Sequence, residues 1–403
     1  MKRLILLLAI FCPTSLWAQH PVFFQRAADI TKRAQMKADY EADTDCTTSP
    51  TTLSSAACQP ATLGGRLYKW IHDISAAGTR DIDRSEYGAW MYAATGNAAY
   101  ATQSYARITT WFLPLADTYG ALCGNTSRRH FAHWVITYDL IWPALDGTQR
   151  NNFLTKLKTM ANICTAASFL PEDGDQGPGD WSGLALLKLS EPADSLIDQY
   201  WTTENATRKL GFFTSTASDG ATRRNAWRHL VDTQGIGGEW PESAEYNPYG
   251  YGLSFLVSDA IQSVRGGDDF PEITAWAPEV CEQSMHNISP GINDARSERR
   301  QWSDDERPRV LYGRGTWPYM AAAAGACEGL SVGPRIQDFV MDWMDTVANI
   351  ETLHPEAWFL HTFNPYATRG DHTTTPKTKA STGVGMFSSR TGWAESALAA
   401  SSP

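Results

Sequence analysis

Apolar and aromatic residues recur at spacings of three and four in segment after segment of this chain, and strand signals are nearly absent before residue 383. That period is the one an α-helix needs to present a continuous buried stripe, so it constrains the fold more than any motif does. It predicts helices over 22–40, 67–75, 82–95, 98–116, 128–142, 147–167, 182–189, 221–232, 249–264, 317–326 and 335–347. Stop signals divide them, among them Thr95-Gly96-Asn97 and Asp146-Gly147. Only near the end does the pattern turn β, over 383–389 and 396–400, around Arg390-Thr391-Gly392-Trp393. The expectation is a mainly α chain of antiparallel helix pairs, followed by the opening of a β domain. No strict repeat is present, which favours a closed helical toroid over a regular solenoid. The chain stops at Pro403 within what reads as a sheet, so a truncated fragment is expected.

The first residues read as an export signal. Lys2 and Arg3 precede an apolar run from Leu4 to Phe11, and Leu16-Trp17-Ala18 ends in a small residue. Cleavage after Ala18 fits that order, and the run is far shorter than the roughly 20 residues of a spanning helix. A lipoprotein signal through Cys12 would want a small residue where Phe11 stands. Periplasmic or secreted localisation is therefore expected, with no membrane span. Without Cys12 six cysteines remain, and an even count in an oxidising compartment implies disulfides. Sequential pairing, 46–58, 123–164 and 281–327, would staple local helix pairs and is one of about fifteen connectivities. There is no CxxC and no HExxH, so neither a metal nor another cofactor is expected.

The net charge of −10 argues against nucleic acid as a partner, though a cleft on an acidic protein can still be locally basic. Sixteen tryptophans and fifteen tyrosines suit both a helical core and the stacking of sugar rings.

Three stretches concentrate chemistry. Gly237 to Tyr251 (GGEWPESAEYNPYGY) packs three carboxylates, an indole and three phenols into fifteen residues. The plain alternative is an acidic helix N-terminus with packing tyrosines. Asp173 to Gly183 (DGDQGPGDWSG) reads as a turn in which Asp180 caps the following helix. Arg296 to Arg307 (RSERRQWSDDER), with Arg309 and Arg314 beyond, is either a solvated loop or a set of guanidinium clamps for carboxylate or sulfate.

In their order along the chain, these stretches resemble the heparinase II/III-like polysaccharide lyases, the group of heparinases and alginate lyases. The resemblance rests on Tyr138-Asp139-Leu140-Ile141-Trp142 with Leu145 to Arg150, on Asp180-Trp181, on Gly238 to Tyr251, and on Phe387 to Trp393. It implies a signal peptide over 1–18, an incomplete (α/α) toroid over 19–380, and the first strands of a β-sandwich over 381–403. It also implies β-elimination at a uronate of an acidic polysaccharide.

That reaction needs a group that neutralises the substrate carboxylate, a base for the adjacent carbon-bound proton, and an acid for the leaving glycosidic oxygen. Stabilisation of the enolate-like intermediate is normally the largest contribution. By resemblance Tyr246 is the acid, and the base as well if a cation lowers its phenol from a pKa near 10. Tyr249 is the substitute if the loop register shifts, and Arg228 and His229 are the candidate cations. His133 is the candidate cleft histidine on the 128–142 helix, with His354, His361 and His372 nearer the domain junction. Trp181, Trp240, Glu242, Arg228, Arg300 and Trp302 are candidate substrate contacts.

The chain departs from the family at Asp180, where the family commonly offers Asn. An ionised Asp would repel a uronate and could donate only if burial kept it protonated. A toroid glycoside hydrolase pairing Asp180 with Glu239, Glu242 or Glu245 is thus one alternative. A non-catalytic carbohydrate-binding protein gripping sugar through Trp181 and Trp240 is another.

Overall fold

The computed structural model describes residues 20–43, 62–76, 84–166, 176–191, 235–238, 252–265, 271–287, 316–346, 358–383 and 386–389. Eleven helices of more than one turn lie within them. They are α1 (Ala27–Glu41), α2 (Leu63–Ala76), α3 (Arg84–Thr95), α4 (Ala98–Trp111), α5 (Asn125–Ile141) and α6 (Gly147–Ala166). Then follow α7 (Gln176–Ser190), α8 (Leu253–Arg265), α9 (Pro271–Asn287), α10 (Thr316–Ala326) and α11 (Gly333–Thr346). A single turn, Phe359–Thr362, leads to β1 (Thr378–Ser381) and β2 (Met386–Ser389). The two strands are antiparallel, with Thr378 opposite Ser389 and Ser381 opposite Met386. The chain is mainly α.

The departures from the periodicity have local causes. Helix α4 stops at Trp111, not at 116, because Pro114 disfavours the helical conformation of the residue before it. Helix α9 is absent from the sequence reading, which two prolines discourage. Pro271 opens the helix, where a missing N–H costs nothing. Pro278 lies inside it and removes one hydrogen bond, offset by burial of Trp276, Ala277, Val280, Cys281 and Met285. Strand β1 was not foreseen either. The helix expected over 221–232 and the strand over 396–400 lie outside the described residues.

Short connections fix the pairing of neighbours. Only Gly96 and Asn97 join α3 to α4; Gly96 takes a positive φ and the Asn97 side chain accepts from Ala99 N at 3.0 Å. Between α5 and α6, Asp146 and Gln149 cap each other: Gln149 N donates to Asp146 Oδ1 and Asp146 N to Gln149 Oε1. Helix α5 is central and packs against α3, α6 and α7. Its approach to α7 is close enough that a Cβ on Gly183 would meet the Phe131 ring at 2.2 Å. Trp70, Trp90, Trp134 and Trp358 are fully buried, so these indoles belong to the core. Truncating one such ring costs roughly 3–5 kcal/mol.

The disulfide Cys123–Cys164 joins the start of α5 to the end of α6. Closing that loop stabilises by about 4 kcal/mol in the chain-entropy model. Cys46 and Cys58 lie outside the described residues, while Cys281 and Cys327 are buried thiols rather than the expected cystine. Among the described residues no helix is long and apolar enough to cross a membrane.

The segment ahead of α1 is tied to α5 through one carboxylate. Asp139, fully buried, accepts from Val22 N and Phe23 N at 3.0 Å and pairs with His20 Nδ1 at 2.6 Å. His20 stacks on Trp142 at 4.8 Å, and its Nε2 is 3.5 Å from Glu191, which also accepts from the Tyr138 hydroxyl at 2.8 Å. Burial opposes a charged imidazole here, but Asp139 and Glu191 together outweigh it and push His20 up to about 9. A pKa raised on folding adds stability that is complete below the unfolded value near 6.5 and lost as pH rises towards 9. Chemical denaturation should therefore show stability falling by about 3 kcal/mol across that window. His20→Phe, which keeps a ring but not the charge, should remove that fall; an unchanged fall would exclude His20 as its source.

Candidate functional site

Residues 239–251, the densest chemical stretch, leave the described structure at Gly238, and their root is held with unusual completeness. Trp276 Nε1 of α9 donates to Gly235 O at 2.7 Å, and Gly237 N donates to Glu279 Oε2 of α9 at 2.7 Å. From β1, the Ser381 hydroxyl donates to Gly237 O at 2.8 Å and lies 2.8 Å from Gln283 Oε1. Gly383 N donates to Ile236 O at 3.1 Å. Gly237 and Gly238 both take φ near +90°, a region costly for residues with a Cβ. There is no room for one either: a Cβ would lie 2.3 Å from Ser381 Cα at Gly237 and 2.1 Å from Glu279 O at Gly238. The Gly237-Gly238 pair is thus a wedge between α9 and β1.

Helix α9 is itself braced on both sides. Glu282 pairs with Arg335 of α11 and with Lys379 of β1, and His286 Nε2 is 3.0 Å from Pro376 O. Gly235–Gly238 therefore sit where the helical body meets the β-hairpin.

A buried polar group lies within the helices. His133 Nδ1 of α5 is 3.0 Å from Glu86 Oε1 of α3, both residues being buried, and its ring meets Trp358 edge-on at 6.1 Å. His361 stacks on Phe24 at 4.4 Å, and neither of its ring nitrogens has a hydrogen-bond partner among the described residues. Burial first, then the charges of Arg33 and Lys32 and the nearby His133, hold His361 well below the ordinary histidine range. It stays neutral, and protonation there is disfavoured. His372, by contrast, is engaged with Asp338 at 2.8 Å. The pattern of the sequence named these histidines but could not separate them, because partners on distant helices decide which nitrogens remain open.

A cavity of about 370 Å³ opens between α1, α8, α10 and the Phe359–Thr362 turn. Arg26 bridges two of its carboxylates, Asp29 at 2.8 Å and Asp259 at 2.7 Å. Burial raises the Asp259 carboxyl despite Arg26. Burial also lowers the Lys32 ammonium to about 8, and that group donates to His361 O and Phe363 O at 2.8 and 3.0 Å. Among the described residues no group of three or more His, Cys, Asp or Glu could hold a metal ion.

Of the residues singled out in the sequence, His133 is described in full, as a buried partner of Glu86. Asp180 and Trp181 lie within α7, which begins at Gln176. The expected turn with Asp180 as cap is corrected: Pro178 falls in the first helical turn, where its missing N–H is harmless, so Gly-Pro-Gly is absorbed into the helix. Tyr246, Tyr249, Arg228, His229, Trp240, Glu242, Arg300 and Trp302 lie outside the described residues. The 138–150 stretch has a structural role: Tyr138, Asp139 and Trp142 hold His20, and the Arg150 guanidinium lies over the Trp142 ring at 3.6 Å.

No protein-family model matches this chain, and no curated protein is significantly similar to it.

Gly238→Ala should cost about 1–3 kcal/mol in urea denaturation, since it combines backbone strain with a backbone clash. Wild-type stability in that variant would show that the root is not clamped.

Proposed function

We propose that this chain is an exported polysaccharide lyase that cleaves a uronate-containing acidic glycan by β-elimination. The observation that carries the reading is the fixed root of the 239–251 stretch, at the junction of the helical body with the hairpin. Catalysis by positioned groups requires a loop held on rigid elements, and the resemblance to heparinase II/III-like lyases assigns the reacting tyrosine to this stretch. Tyr246 then serves as acid and, beside a cation such as Arg228 or His229, as base. Tyr249 is its substitute, Asp180 stands in the catalytic place of the family's carboxylate-neutralising Asn, and Trp181, Trp240, Glu242, Arg300 and Trp302 remain the proposed substrate side.

Two further features support it. Lys32 of α1 holds the carbonyls of His361 and Phe363, joining α1 to the Phe359–Thr362 turn and so bringing distant parts of the chain together, as a toroid requires. The Cys123–Cys164 bond accords with an oxidising compartment.

A glycoside hydrolase is favoured by one observation, the raised carboxyl of Asp259 beside Asp29 in the polar cavity. Hydrolysis needs two carboxyl groups, one of which is held in its acid form, and burial of Asp259 acts in that direction.

The test is ultraviolet absorbance during incubation with a panel of uronate polysaccharides, because elimination creates a conjugated unsaturated uronate and hydrolysis does not. A rising signal, reduced roughly 10²-fold or more in Tyr246→Phe, is the expected result. New reducing ends without absorbance, lost in Asp259→Asn, would replace the lyase with the hydrolase. Binding without either product would leave a carbohydrate-binding protein.

A further inference from the structure

The face that α8 turns towards α1 is polar, where a packed helix ordinarily presents an apolar stripe. Phe255, Ser258, Asp259 and Gln262 share that face, being three, four and seven residues apart from the first. They line the cavity of about 370 Å³ that also receives Arg26, Asp29 and Lys32 of α1. Small residues keep the space open: Ala28 on α1, and Gly325 and Ala326 at the end of α10. Its volume falls within the roughly 300–1,000 Å³ of small-molecule sites.

The protein uses the polar groups of this cavity only in part. The buried Lys32 ammonium carries three N–H groups. Two of them go to His361 O and Phe363 O at 2.8 and 3.0 Å, and the third has no acceptor among the described residues. Arg26 reaches Asp259 through Oδ1 at 2.7 Å, yet the Asp259 side chain keeps 20% of its surface open. Gln262 Nε2 donates to Ser258 Oγ across 3.4 Å, a long and weak bond. Buried donors and acceptors left unmade are costly, so a ligand that completes them is held.

Charge selects the ligand. Two cations, Arg26 and Lys32, and three carboxylates, Asp29, Asp259 and Glu328, border the same space. An anion would face the carboxylates and a cation would face Arg26 and Lys32. A hydroxyl avoids both conflicts, because it donates to a carboxylate and accepts from an ammonium. Neighbouring hydroxyls on one ring or chain do so at several points, and Phe255 offers apolar contact to the C–H groups between them.

We propose that this cavity binds a neutral, hydroxyl-rich small molecule of the hexose or hexitol class, gripped by Lys32, Asp259 and Gln262, with no bond broken in it. None of Gly235–Gly238 lines the cavity. The site is therefore distinct from the loop root and does not depend on the lyase reading.

Isothermal titration calorimetry tests this on the full chain at neutral pH, with glucose, mannose, galactose, mannitol and glucuronate as probes. The expected result is saturable binding of a neutral compound, one per chain, with glucuronate roughly tenfold weaker or more. Ala28→Trp places a large ring at an exposed position of α1 that lines the cavity, so it should block entry and leave the fold intact. Gln262→Leu removes a polar contact while keeping the bulk. Each should weaken binding roughly tenfold or more, with thermal unfolding of Ala28→Trp matching wild type. Absence of binding by all the neutral probes would overturn the proposal, as would affinity unchanged in either variant. Tighter binding of glucuronate than of any neutral probe would overturn the choice of ligand class. The readout is binding alone, so it can succeed while the lyase reading fails.

Discussion

The carboxylate of Asp139 is the point on which the helical body closes. Completely buried on the central helix, it would be costly without partners, and its partners come from one place, the segment from His20 to Phe23. Once that segment is held, the contacts beyond it follow. Phe24 N donates to Ser263 of α8 and its carbonyl accepts from Arg33. Arg26 reaches Asp259 of α8, and Lys32 reaches the turn before the hairpin. From that carboxylate onward, the 20–32 segment is thus tied to α5, to α8 and to the Phe359–Thr362 turn.

That arrangement explains why part of the fold was legible and part was not. Ten of the helices show in the spacing of apolar residues because each buries one stripe against its neighbours, a local property. Helix α9 does not, since Pro278 speaks against it and only the burial of Trp276, Val280 and Cys281 overrides that signal. Asp180 was misread for the opposite reason: Gly177-Pro178-Gly179 has the composition of a turn, yet proline at a helix start is compatible with helix. Tyr138, Asp139 and Trp142 were noticed as part of a motif, but their work is structural, which needed the position of His20 to see.

The candidate site divides in the same way. Its chemistry, the acids and phenols of 239–251, is legible because it is a matter of residue types. Its positioning is not, because Glu279, Trp276 and Ser381 meet Gly235–Gly238 only through the packing of α9 and β1. The same holds for His361, whose open ring nitrogens distinguish it from His372 only once Asp338 is seen at the latter. Residue type announces capacity; partners across the fold decide which groups keep it.

In the proposed lyase an acidic glycan is handled where the helical body meets the hairpin. The most direct measurement is a crystal structure of the Tyr246→Phe variant with a uronate oligosaccharide bound. Sugar contacting residues of the 239–251 stretch, beside the Gly237–Gly238 wedge, is the predicted result. Sugar lodged instead in the cavity of Arg26, Asp29 and Asp259 would contradict the claim and move the chemistry to those carboxylates.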